Sequence, residues 1–136
     1  MPGPRRTTSL VGNFGVSSIA RATSAIWFNP IFESVSNHKY DTRDYRRIDP
    51  HFGDLSTFRR MVEVLHGLGI RVVLDGVFNH TGDEFWAFQD VVQRGTGSPY
   101  YDWYDIWRWP VTRQPVSYRA WAGYPDMPEL NHDNPE

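Results

Sequence analysis

Three residues able to do chemistry follow one apolar run in this chain: Asp75, Asn79 and His80, after Ile70 to Leu74. A run of that kind makes a strand buried on both faces. Such a strand has no structural use for a carboxylate, so Asp75 needs a partner or a task. Sites in α/β sheets gather at the carboxyl ends of strands, and these residues fall at such an end. Asp83 and Glu84 stand side by side just beyond, and read as a solvated turn or a helix start. Upstream, the polar stretch from Ile31 to Gly53 holds Asn37, His38, Tyr40, Asp41, Asp44 and Tyr45. It reads as a long irregular loop, and a loop of that length in a compact domain is usually functional.

The elements that must position these groups are legible around them. Ala25 to Phe28 reads as a short buried strand, stopped by Asn29-Pro30. Asp54 to Leu68 is the clearest helix, with Asp54 as N-cap and an apolar stripe of Leu55, Phe58, Met61, Val62, Leu65 and Leu68. Gly67 and Gly69 supply its stop, and Arg59, Arg60 and Glu63 take the solvent face. Ile70 to Val77 is the next strand, so strand, helix and strand form a βαβ unit with an expected right-handed crossover. Phe85 to Val92 reads as another short helix, and beyond Gly95 the chain reads as an irregular insertion rich in Pro, Tyr and Trp. Residues 1–23 carry weak patterning and read as loop or poorly ordered chain.

Bulk composition excludes more than it assigns. A net charge of -2 and a pI near 6.2 make no electrostatic case for nucleic acid or an anionic membrane. No apolar stretch approaches the roughly 18 residues of a membrane span. Without cysteine there is no disulfide framework and no thiolate metal site. Arg5-Arg6 is followed by no sustained apolar region, so no signal peptide is read, and a cytoplasmic location is favoured. Aromatics make up 15% of the chain, with six Trp. They either fill the core of a loop-rich subdomain or offer flat faces on which sugar rings pack.

Four segments in order resemble the α-amylase family, glycoside hydrolase family 13. Asp75-Gly76-Val77-Phe78-Asn79-His80 is similar to its first conserved motif. Ala25-Ile26-Trp27-Phe28-Asn29-Pro30-Ile31-Phe32 resembles the second barrel strand and its exit. Asn37-His38-Lys39-Tyr40-Asp41-Thr42 with Asp49-Pro50-His51-Phe52-Gly53 resembles the loop that follows, and Met127-Pro128-Glu129-Leu130-Asn131 the end of the inserted domain B. The pattern points to the neopullulanase, cyclomaltodextrinase and maltogenic amylase branch. The fold class implied is α/β: a partial TIM (β/α)8 barrel, comprising the second strand, its helix and the third strand, followed by an irregular domain B-like insertion. The division expected is an atypical segment over 1–23, barrel over 24–80 and insertion over 81–136. The resemblance lapses upstream, where Val11 to Ser24 shows no amphipathic helix; a frameshift or alternative start near Thr23 would explain the abrupt onset.

The resemblance assigns roles residue by residue. His80 would hydrogen-bond a hydroxyl of the sugar being cleaved; the alternative is a satisfied histidine at a strand end. Tyr40 would stack on that sugar's ring, and Asp75 would orient neighbouring catalytic groups or else cap the following turn. Without a cationic partner, a buried Asp75 would have a raised pKa. Asp41 and Asp44 would hold the loop through backbone N–H groups. Asn79 and Asn131 stand where relatives ligate calcium, an ion suited to oxygen donors; otherwise they tie the insertion to the barrel. No organic cofactor is implied.

A retaining glycosidase needs two carboxyl groups about 5–5.5 Å apart. The family's nucleophile, general acid and transition-state-stabilising acid come from strands that would lie beyond Glu136. No catalytic carboxylate can therefore be placed on this chain, which is expected to be inactive alone. Its expected partner is an α-glucan or maltooligosaccharide, with a complementary barrel fragment, or a homodimer of the full-length parent, as protein partner. The alternatives are a non-catalytic sugar-binding fragment and a truncated product with no independent function.

Overall fold

The computed structural model describes residues 23–135. The reading of 1–23 as poorly ordered therefore falls outside the described residues, Thr23 apart. Strand β1 (Ala25–Phe28) is followed by β2 (Phe32–Ser34), β3 (Thr42–Ile48), helix α1 (Leu55–Gly67), β4 (Arg71–Leu74) and helix α2 (Trp86–Arg94). β1 and β4 pair in parallel, Ala25 opposite Arg71 and Phe28 opposite Leu74, with α1 between them in the chain.

Local chemistry sets the ends of α1. The Asp54 carboxylate accepts the Thr57 N–H at 2.7 Å and the Ser56 hydroxyl at 2.7 Å. Those bonds hold its pKa down at about 2. At the other end Gly69 takes a φ of +75°, which only glycine adopts without strain. Its N–H donates to the His66 carbonyl, and the Ile70 N–H to the Leu65 carbonyl, both at 2.9 Å. This reversal stops the helix and brings Leu65 and Ile70 together, both buried. The chain then enters β4 beside β1.

Three expectations are corrected. The stretch 31–53 is not irregular throughout: β2 and β3 form an antiparallel pair whose register shifts between Phe32 and Ser34. It escaped notice because Thr42–Ile48 alternates charge rather than apolar surface, and its ties are ionic, Arg47 to Glu33 at 3.0 Å and Arg43 to Glu33 at 3.7 Å. The strand expected over Ile70 to Val77 is confined to Arg71–Leu74, though the Asp75 N–H still donates to the Phe28 carbonyl at 3.0 Å. The parallel pair is also not buried on both faces, since Trp27 is 70% and Val73 42% exposed. Two strands and one helix leave a parallel sheet without the second cover that such sheets ordinarily have.

The main core lies instead in the second half of the chain. Phe88 on α2 meets Tyr104 and Tyr118 edge to face, with ring centroids 4.9 and 5.0 Å apart. Phe85, Ala87 and Val91 complete the buried cluster. Beyond α2 the chain is irregular, as expected, joined by short bridges such as Tyr104 to Leu130 and Ile106 to Tyr118. Tyr100 and Trp103 pack with Trp86 at the edge of this core. Most aromatics between Tyr100 and Tyr104 are therefore packing residues. No helix among the described residues is long and apolar enough to cross a membrane.

Candidate sugar-binding cleft

The end of β4 delivers Asp75 to the loop that precedes β3. The Tyr40 hydroxyl donates to Asp75 Oδ2 at 2.9 Å, and this bond raises the phenol above its usual pKa. Asp75 is half-buried rather than buried, and among the described residues it forms no ion pair. The Tyr40 hydroxyl and partial exposure to solvent serve the carboxylate in place of a cation.

His80 is buried at 5% exposure and bridges across to Glu129. The adjacent Thr81 N–H donates to the Pro128 carbonyl at 3.0 Å, and the Leu130 N–H to the Asn79 carbonyl at 2.9 Å. These bonds bind the segment after β4 to the Met127–Leu130 strand. The Asn79 amide nitrogen lies 3.4 Å from His80 Nδ1. His80 Nε2 is buried with no hydrogen-bond partner. Burial depresses the imidazole pKa, outweighing the opposing pull of the Tyr40 backbone and the Glu129, Asp41 and Asp126 carboxylates.

These groups line one cleft of about 540 Å³. Tyr40, His38 and His80 come from the two sequence motifs; Trp121, Tyr124, Asp126 and Met127 come from the far end of the chain. The His80 ring stacks on Trp121 at 5.5 Å, and Trp121 on Tyr124 at 6.1 Å. Trp121 and Tyr124, both exposed, form an aromatic wall that reasoning from sequence missed. A signal existed: two aromatics three apart around Ala122-Gly123, which both take left-handed backbone (φ 48° and 80°). A tight turn of that kind turns both rings to one side.

The loop carrying Tyr40 is held by two buried anchors. Lys39 Nζ lies 2.9 Å from Asp49 Oδ2, and both side chains are almost wholly buried. Burial works against the Asp49 carboxylate, but hydrogen bonds from Lys39, His51 and the Ser34 N–H outweigh it and lower its pKa. Asp41 accepts from the hydroxyls of Ser34 and Ser36, so it holds the loop through side chains rather than backbone N–H groups. Asp44 behaves as expected, accepting the Arg46 N–H at 2.9 Å. Asp83 pairs with Arg113 at 2.9 Å, and Glu84 lies exposed near Arg43.

Asn131 spends its amide on the Asp102 carbonyl (3.1 Å) and its side-chain oxygen on the Asp133 N–H (3.1 Å). Calcium takes six to eight oxygens. Among the described residues no cluster of three acidic or imidazole side chains could hold a metal. The Asn131 amide thus joins two segments, whereas the Asn79 side chain lies against the adjacent His80 and only its backbone carbonyl reaches Leu130.

A parallel strand-helix-strand unit, with polar groups at its carboxyl end facing an aromatic wall, is the construction of an α/β barrel enzyme. Residues 21–132 match the family model described as alpha amylase, catalytic domain, and the chain belongs to that family as a fragment of a TIM-barrel fold. Neopullulanase 2 of Thermoactinomyces vulgaris is 52% identical over 115 residues, 83% of this chain and 20% of that protein. Cyclomaltodextrinase of Thermoanaerobacter pseudethanolicus is 50% identical over 115 residues, again 83% of this chain and 20% of that protein. The cyclic alpha-maltosyl-(1→6)-maltose hydrolase of Arthrobacter globiformis, solved with that sugar, superposes with a TM-score of 0.82 at 41% identity, covering 85% of this chain and 26% of its own. The chain thus spans about a fifth of the length of the curated relatives it matches.

Proposed function

We propose that this chain forms part of an α-glucan-acting glycoside hydrolase and builds one side of its sugar cleft. β1, α1 and β4 correspond in this reading to the second strand, its helix and the third strand of the barrel. Residues 81–136 correspond to the inserted domain. The substrate class is α-1,4-linked: cyclomaltodextrins, maltooligosaccharides or pullulan, processed with retention by carboxylates supplied from other strands. Tyr40 packs on a glucose ring, Asp75 fixes the Tyr40 hydroxyl, and Trp121 with Tyr124 offers a second apolar face to sugar C–H groups.

One observation carries the reading: the buried His80 Nε2, without a hydrogen-bond partner, beside an aromatic-walled cleft. A buried polar atom left unpaired costs roughly 1–3 kcal/mol, which a sugar hydroxyl placed on it would recover. The cleft is also of the size that holds a small ligand, roughly 300–1,000 Å³.

Titration of maltotetraose into the chain, followed by tryptophan fluorescence, tests this. Binding is expected, with Trp121→Ala and His80→Ala each weakening it. A chain that keeps its tertiary signal but shows no response to sugar would sink the proposal. The isolated chain is expected to release no reducing ends from cyclomaltodextrin. Because the Asn131 side chain is taken up by the Asp102 carbonyl and the Asp133 N–H, removing calcium with a chelator is expected to leave the melting temperature unchanged.

A further inference from the structure

We propose that Lys39 is a positioning residue whose ammonium, clamped on Asp49, presents Tyr40 to Asp75 and to the cleft. Lys39 takes a φ of +67°, a left-handed conformation that a lysine adopts only when its surroundings impose it. Its side chain is 5% exposed, a placement a charged chain accepts only when paired. The pairing is close: Nζ lies 2.9 Å from Asp49 Oδ2, and the other carboxylate oxygen, Oδ1, lies 2.7 Å from His51 Nδ1. Asp49 is in turn fixed by the Ser34 N–H at 3.2 Å and the His51 N–H at 3.0 Å. The Asp49 N–H donates to the Ile31 carbonyl at 2.9 Å, so the ammonium is tied to both strands of the hairpin.

The consequence falls on the next residue. Lys39 and Asp41 are buried anchors on either side of Tyr40, and Tyr40 between them is turned outward. Its N–H is taken by His38 Nδ1 at 3.1 Å and its hydroxyl by Asp75 at 2.9 Å. Releasing Lys39 lets the backbone relax from the left-handed region, which rotates the following peptide and removes Tyr40 from Asp75. Lys39 touches no sugar in this scheme; it acts through Tyr40. Its effect on sugar affinity rests on the glucan reading, whereas its hold on Tyr40 does not.

The test uses the whole chain at pH 7 with ring-labelled tyrosine, the Tyr40 signals being assigned by Tyr40→Phe. Nuclear Overhauser contacts between the Tyr40 ring and the Asp75 β-protons report the placement without sugar. Contacts between Phe88 and Tyr118 report the core in the same sample. Lys39→Met removes the charge, while Lys39→Gly also relieves the left-handed backbone. The expected result is loss of the Tyr40–Asp75 contacts in both variants, with those of Phe88 and Tyr118 kept. Contacts that survive in Lys39→Met, or that survive in Lys39→Gly alone, overturn the proposal, since the ammonium would then be dispensable. So does their absence from the parent chain, or simultaneous loss of the core contacts, which would make Lys39 a general stabiliser. Maltotetraose added last separates the two readings: intact Tyr40 placement without binding would count against the glucan cleft and not against Lys39.

Discussion

His80 illustrates how one buried side chain sets both a binding group and a pH dependence. Its imidazole is held neutral by burial, with a pKa below its usual value. An unfolded histidine takes up its proton near pH 6.5. Below that value the unfolded chain binds a proton that the folded chain refuses, so stability falls as pH drops and is complete above about pH 6.5. Urea midpoints measured at pH 7.5 and 5.5 are expected to fall further for the natural chain than for His80→Gln. His38, His51, His66 and His132 are all exposed and common to both, so they cancel. An equal fall in the two would mean that His80 is protonated in the fold. Asp75 and His80 stood out in the sequence because they follow an apolar strand, and Tyr40 only through the family resemblance of its loop. Trp121 and Tyr124 were not, because they reach the cleft only through the bridge that pairs His80 with Glu129, a contact across 49 residues.

At the level of elements, a glycine decides whether the two motifs meet. The Gly82 N–H donates to the Thr42 carbonyl at 2.8 Å, where the segment after His80 crosses the start of β3. A Cβ at Gly82 would stand 2.5 Å from the Asp41 carbonyl oxygen, a backbone atom that cannot step aside without moving the Tyr40 loop. Gly82→Ala is therefore expected to cost about 1–3 kcal/mol of stability, in the range of other forced close contacts. Gly67, in the last turn of α1, has nothing within 4 Å of its missing Cβ. Gly67→Ala is expected to stabilise by about 0.5–1 kcal/mol, the ordinary gain for alanine in a helix. Urea denaturation of both variants checks the contrast; two changes of the same sign would refute the packing argument. Helix α1 was readable because its cap, stripe and glycine stop are all local signals. The β2–β3 pair was not, since Thr42–Ile48 carries charged residues where apolar alternation would mark a strand, and its register shifts.

For the molecule as a whole, the distribution of apolar surface is uneven. The α2 core buries Phe88, Val91 and Tyr118 almost completely, while the β1–β4 sheet leaves Trp27 70% exposed, with Val73 and Leu74 partly so. A parallel sheet is ordinarily covered on both faces, and a contiguous apolar patch on one marks an interaction surface. Both edges of this two-stranded sheet also lack a further strand among the described residues, which makes them templates for pairing. The chain on its own is therefore expected to self-associate through the β1–β4 sheet, with the α2 core intact. Sedimentation velocity over a hundredfold range of concentration would show the weight-average mass rising. Trp27→Glu with Val73→Lys should restore the monomer without altering the near-ultraviolet signal of the core aromatics. A natural chain that stays monomeric throughout would refute this expectation. Association that survives both substitutions would place the sticky surface elsewhere, on the exposed Leu55, Val64 and Leu68 of α1. Suppression of self-association by a polypeptide carrying further parallel strands would show that the exposed edges of this sheet are where the chain associates.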